Sequence, residues 1–362
     1  MRALKVSAAL LAAVLLLVLA TAAVAAAGPP SAKAHTYRVL VGAEQASRGV
    51  SLMGYYPSHV RIHVGDTVRW VQNSNEIHTV TFLGGQPLPE LILPAASLGL
   101  PVPPAAPSPL VFNPMATTPT MGPVSIGDTT TWANSGIMGR EPGQATSFAV
   151  TFTAAGTYHY ICIVHGKLMS GRVTVVGDRA MVPSPRRYMA LARYEILRQF
   201  AKAPSVVRAA VRHNKPATSN GGGTWTHYVQ LGYSRGQIML MRFFPSRVKV
   251  HPGDTVQWMM TTHNDAPHTV TFLNGQPEPP LADPVPQSDG SVVLYVDPGT
   301  LFPSTPTPDL MTTGLYSSGL LNPVPGTGWS IKIGDIGAGP LPYICLLHDT
   351  SGMRGTLWVV SN

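Results

Sequence analysis

The stretch Tyr158-His159-Tyr160-Ile161-Cys162-Ile163-Val164-His165-Gly166-Lys167-Leu168-Met169 brings a thiol, an imidazole and a thioether into one short segment. The pattern returns near the C-terminal end as Tyr343-Ile344-Cys345-Leu346-Leu347-His348-Asp349-Thr350-Ser351-Gly352-Met353, again Cys, two residues, His, then Met. The chain has only 2 cysteines, and both sit in this context. Thiolate and thioether are soft metal donors and imidazole is intermediate; two His, one Cys and a weak axial Met are the ligand set of a blue copper centre. Each copy therefore needs one more histidine from elsewhere. A disulfide between the two cysteines would destroy both sets, so they are read as ligands, although an oxidising compartment permits such a bond.

Working outward from these motifs exposes an internal repeat. Tyr55-Tyr56-Pro57-Ser58-His59-Val60-Arg61-Ile62-His63-Val64-Gly65-Asp66-Thr67-Val68-Arg69-Trp70 aligns with Phe243-Phe244-Pro245-Ser246-Arg247-Val248-Lys249-Val250-His251-Pro252-Gly253-Asp254-Thr255-Val256-Gln257-Trp258. Both lines run on to His-Thr-Val-Thr-Phe-Leu, beginning at His78 and at His268. Period-2 alternation on either side of a Gly-Asp turn predicts two strands, with the His-Thr-Val-Thr-Phe strand after them. A long proline-rich interval follows in each copy, 87–123 and 277–325, of a length that is functional or loosely ordered more often than not. Asn134 to Met138, after the first interval, and Tyr316 to Leu320, near the end of the second, are set in equivalent places.

Charge and hydropathy complete the organisation. Arg2 and Lys5 precede an apolar run that ends in alanines, so residues 1–27 read as a signal peptide, with an uncleaved N-terminal anchor as the other reading. Either places the bulk of the protein outside the cytoplasm. The remainder has the length of two domains, expected at 35–178 and 223–362. Between them, residues 179–215 hold nine Lys or Arg against the single acid Glu195, a surplus of eight that equals the formal net charge of +8 for the whole chain. This basic segment, part of a linker over 179–222, is expected to be partly helical, to break at Pro204 with Ser205 as a new N-cap, and to end in a flexible joint at Asn220-Gly221-Gly222-Gly223.

Gly-Asp-Thr-Val-x-Trp, then His-x-Val-x-Phe, then Gly-Thr-Tyr-x-Tyr-x-Cys-x-x-His-x₃-Met-x-Gly resembles the cupredoxin family, in particular its plastocyanin and amicyanin branch. The resemblance extends over nearly all of both expected domains and leaves out the leader and the linker. It implies an all-β fold of two tandem Greek-key sandwiches. It also implies two coppers per chain, the first held by His78, Cys162, His165 and Met169 and the second by His268, Cys345, His348 and Met353. The short Cys-x₂-His loop points both side chains at one ion, while the first His comes from a packed strand. Cu(I) and Cu(II) must then share nearly one geometry, which suits fast electron exchange.

Three departures from the family pattern stand out. Thr79 and Thr269 follow the first ligand His where family members often carry Asn, so the hydrogen bond tying the ligand segments together is expected to differ. Pro340 and Pro342 precede Cys345, which puts strand pairing there in question because proline lacks a ladder donor. The Met spacing is three residues after His165 and four after His348.

Other histidines are weighed against these. His263 competes with His268, but only His268 shares the context of His78. His59, His63, His251, His35, His159, His213 and His227 are read as solvated surface residues. The functional expectation is an exported electron carrier, not an enzyme, serving extracytoplasmic redox protein partners. The basic segment offers a possible contact with an anionic membrane surface, and nucleic acid is not expected as a partner. A copper storage or delivery protein is the alternative, and a two-domain copper oxidase or nitrite reductase a further one. Those enzymes need His-x-His pairs and a His-Cys-His flank for a catalytic copper. Here Cys162 is flanked by Ile161 and Ile163, Cys345 by Ile344 and Leu346, and no His-x-His occurs.

Overall fold

Alternating burial drives the two equivalent strands Thr67–Gln72 and Thr255–Met259: Val68 and Trp70, like Val256 and Trp258, face inward while their neighbours face out. This is the period-2 signature of half-buried strands. In the computed structural model, which describes residues 34–102, 108–141, 143–304, 309–310 and 314–360, these strands lie in one face of an all-β architecture. The leader expected at 1–27 lies outside the described residues.

In the first half, Thr36–Gln45 pairs with Val50–Tyr56 and Thr67–Gln72, and Ser147–Phe152 and Val124–Ile126 extend the sheet. A second sheet runs His59–His63, Gly166–Val176, Gly156–Cys162, Thr81–Leu83, Trp132–Asn134. One core fills the space between them, with Val39, Val68, Trp70 and Val150 from the first sheet meeting Val60, Tyr160, Cys162 and Val173 from the second. The second half repeats this arrangement with Thr224–Arg235, Ile238–Phe244, Thr255–Met259 and Gly328–Ile333 opposite Arg247–Val250, Arg354–Val359, Gly339–Ile344, Thr271–Phe272 and Tyr316–Ser317.

The halves are not beads on a string. Val50–Tyr56 pairs antiparallel with its own counterpart Ile238–Phe244, so that Leu52 meets Ile238 and Val50 meets Leu240, and a single 11-stranded sheet runs through both. The proline-rich intervals also join: Leu110–Phe112 of the first pairs with Val292–Val296 of the second in a four-stranded sheet around Val111 and Tyr295. Their described parts are therefore ordered rather than loose.

The basic segment forms one helix, Pro185–Arg212, opened by Pro185 at its first turn and by Ser184, whose Oγ accepts the Arg187 N–H. The break expected at Pro204 does not occur, and Ser205 instead donates to the Lys202 carbonyl at 2.7 Å. Proline inside a helix removes one hydrogen bond. Here Ala203, Val206, Ala209 and Ala210 bury on the joined strands with Leu52, Tyr56, Ile238 and Leu240, and that packing offsets the loss. The flexible joint is also replaced: Thr218–Gly221 folds back on Thr224–Arg235 as a hairpin with Gly222 and Gly223 at the turn. Pro340 and Pro342 sit within Gly339–Ile344, which pairs fully with Arg354–Val359 but meets Thr271 only at Ile344. The flank bearing the prolines is otherwise an edge, where a missing donor is tolerated. Pairing also sets Asn134 opposite Thr81 and Ser317 opposite Thr271, so Met138 corresponds to Leu321, one residue on from the sequence alignment.

Candidate metal centres

His78 enters its site from a segment pinned by a two-way backbone exchange. Its backbone N–H donates to the Met138 carbonyl at 2.9 Å, and its carbonyl accepts from Met138 at 2.7 Å; His268 makes the same exchange with Leu321 at 3.0 and 2.8 Å. Cys162 ends the strand Gly156–Cys162 and Cys345 follows Gly339–Ile344, with the second His in the turn beyond each. This brings His78, Cys162 and His165 together, and separately His268, Cys345 and His348, with the ligating atoms of each group within 4.8 Å of one another.

The inward-facing atoms are consistent in both groups. In the first, Nδ1 of His78 and Nδ1 of His165 lie 3.2 Å apart, and Cys162 Sγ lies 3.4 Å from His165 Nδ1. In the second, the two Nδ1 atoms are 3.1 Å apart, and Cys345 Sγ is 3.7 Å from His268 Nδ1 and 3.4 Å from His348 Nδ1. Met169 is buried in the same core as Cys162, and Met353 in that of Cys345. Met353 is bound into its loop, since its N–H donates to the His348 carbonyl and its carbonyl accepts from Cys345 N–H.

The threonines after the first ligand His provide the tie between ligand segments. Thr79 Oγ1 accepts the Ile163 N–H at 2.8 Å while the Thr79 N–H donates to Cys162 Sγ at 3.3 Å; Thr269 does the same for Leu346 and Cys345 at 2.8 and 3.3 Å. An N–H aimed at sulfur suits a thiolate. Burial raises the Cys162 thiol above its ordinary value, and this hydrogen bond from Thr79 pulls against that rise. Burial, and next the neighbouring His165, holds His78 well below the ordinary histidine range. His268 is depressed in the same way by burial and by His348, and His165 falls to about 3 through burial and then His348. A neutral imidazole leaves one ring nitrogen unprotonated, and Nδ1 atoms that face each other and a thiol sulfur fit a cationic metal, which needs unprotonated nitrogen.

Several residues that hold these ligands were not singled out from sequence. Gly42 and Gly232 sit at bulges in Thr36–Gln45 and Thr224–Arg235, with φ of 67° and 59°. A Cβ on either would lie 2.6 Å from Nε2 of His78 or His268. Ser74 Oγ meets that same Nε2 of His78 at 2.9 Å, and Asn264 Oδ1 meets Nε2 of His268 at 3.3 Å. The signals were present: an isolated Gly inside a strand in both copies, and a hydrogen-bonding residue four positions before each ligand His.

The remaining histidines lie elsewhere. His263 packs on Tyr233 and His213, apart from the ligand groups. His59 and His63 are not freely solvated as expected, being half-buried against Thr174 Oγ1 at 3.0 Å and the Ala180 carbonyl at 2.8 Å. His227 and His251 flank the buried Asp254 at 3.1 and 3.7 Å.

Compared with known proteins, no family model matches the chain. Solved structures similar to it include a reduced amicyanin variant at 20% identity over 39% of this chain and 82% of that one, with a TM-score of 0.22. An oxidised amicyanin variant follows at 19%, 39%, 81% and 0.21, and the Cu(I) form of another at 20%, 40%, 87% and 0.22.

Proposed function

We propose that the chain is a two-site cupredoxin-like copper protein that passes single electrons between extracytoplasmic redox partners and is not an enzyme. The observation that carries this reading is the duplicated His₂Cys group, with two Nδ1 atoms and a thiol sulfur converging in each half and a buried Met in the same core. His78, Cys162, His165 and Met169 would hold one copper, and His268, Cys345, His348 and Met353 the other. When bound, copper supplies a one-electron couple. The residues supply rigidity: the backbone of the first His is bonded both ways to one partner residue, the amide after it points at sulfur, and the core behind is packed with Trp70 and Tyr160 or Trp258 and Tyr343. Little side-chain movement then accompanies a change of charge, which favours rapid transfer.

The basic helix supports a place for the partner. Arg186, Arg187, Arg193 and Arg198 are all exposed along it, so it offers a positive face to an acidic redox protein or an anionic membrane. The test is a redox cycle on the copper-loaded protein. It is expected to bleach and recover reversibly with one-electron reductants and oxidants, and to consume no oxygen or nitrite in steady state. Sustained turnover of nitrite or of oxygen with a phenol would contradict the carrier reading.

A further inference from the structure

The two sites differ at one point where the halves meet. His165 is partly exposed, whereas His348 is 5% exposed because the first half covers it. The covering group is Glu76, itself 6% exposed, with Oε2 lying 3.6 Å from His348 Nε2. Its other oxygen, Oε1, accepts the Ser351 hydroxyl at 2.5 Å. Around it, Glu44 Oε1 accepts the Asn75 N–H and Asn75 Nδ2 donates to the Thr350 carbonyl. The repeat breaks here: the residue two before His268, where Glu76 stands two before His78, is Ala266.

We propose that Glu76 is a positioning residue for the second metal site, fixing the His348 imidazole from the opposite half of the molecule and making that site the harder of the two to reduce. The inference rests on the copper reading above. An imidazole that ligates through Nδ1 carries its proton on Nε2, and a carboxylate facing that N–H fixes the ring and strengthens it as a donor. A stronger donor and a nearby negative charge both favour the oxidised ion over the reduced one. Because Ala266 has no charge to offer, the effect is confined to one site. Glu76 is also joined to the first site through the backbone, being two residues from His78. An electron would therefore rest at the first site, whose His165 edge is the more open, while the enclosed second site is reached across the seam.

The test is spectroelectrochemistry on copper-loaded full chain, with Cys345→Ser isolating the first site and Cys162→Ser the second. The second site should show the lower midpoint. Glu76→Gln, which keeps the shape and the Ser351 contact, should shift the oxidised-to-reduced ratio of the second site about tenfold toward reduced, about 59 mV for one electron, and leave the first unmoved. Should Glu76→Gln fail to fold, Ser351→Ala reads the same contact with the same sign. Without the hydroxyl that stabilises its charge, the buried carboxylate is a weaker negative partner for His348, and the midpoint rises. A lower midpoint at the first site, an equal or absent shift in Glu76→Gln, or a fall in Ser351→Ala overturns the proposal while leaving the copper reading intact. A wild-type protein without a thiolate-to-copper band removes both.

Discussion

The backbone N–H of Thr79 donates to Cys162 Sγ at 3.3 Å while the same residue's Oγ1 accepts the N–H of Ile163, and Thr269 repeats both bonds around Cys345. One residue thus restrains the sulfur and the start of the ligand loop together. Thr79→Val removes the acceptor and leaves a buried N–H unsatisfied, which costs about 1–3 kcal/mol. Urea denaturation of the metal-free protein should register this loss, and Thr79→Ser should recover most of it. An unchanged midpoint in Thr79→Val would mean the hydroxyl is not holding the loop.

Gly42→Ala should damage the first site alone. The added methyl meets His78 Nε2 and Ser74 on a backbone with φ of 67°, so the ring must shift. Disturbing a group that orients a ligand weakens metal binding about 10–100-fold. Gly232→Ala should do the same to the second site through His268. Competition with a copper chelator measures both, and loss at the wrong site would contradict the assignment.

Acid should destabilise the metal-free fold. His78 and His268 have folded values below the unfolded one of about 6.5. Above that pH both states are neutral and no stability is at stake. As pH falls below it, the unfolded chain takes up protons that the fold refuses, and stability is lost by about 1.4 kcal/mol per pH unit for each. Glu76 runs the other way, raised from 4.5 to about 7 by burial, and so adds stability as pH falls between those values. With His165 held to about 3, three depressed histidines stand against this one fully buried carboxyl, and the net trend remains a loss. Urea midpoints at pH 7.5, 6 and 5 should decline in order, and a rise toward acid would contradict the burial argument.

The exposed arginines of Pro185–Arg212 should steer encounter rather than hold the complex. With Arg186, Arg187, Arg193 and Arg198 replaced by Gln, association with an acidic protein or anionic vesicles should slow at low salt and lose its salt dependence, since the Debye length shrinks to about 3 Å at 1 M. Both copper spectra should stay unchanged. Wild-type rates across the salt series would reduce the helix to a structural brace.

The strands and the grouping of His, Cys and His were legible because they are written in local spacing: period-2 runs, Cys-x₂-His, and a repeat that made each motif visible twice. What escaped was long-range. Glu76 meets His348 only because Val50–Tyr56 finds Ile238–Phe244, and nothing local to either strand names its partner. Pro204 misled for a related reason, since its local cost is outweighed by packing against strands from both halves. Gly42 and Gly232 carried a signal, but their purpose depends on where His78 and His268 arrive.

The most direct test of the central claim is a copper count with visible and electron paramagnetic resonance spectra of the loaded protein. Two coppers per chain, each with the intense thiolate-to-copper absorption, are expected, and Cys162→Ser should remove about half of that band while leaving the Cys345 site intact. A count near one, or two coppers without the thiolate band, would contradict it.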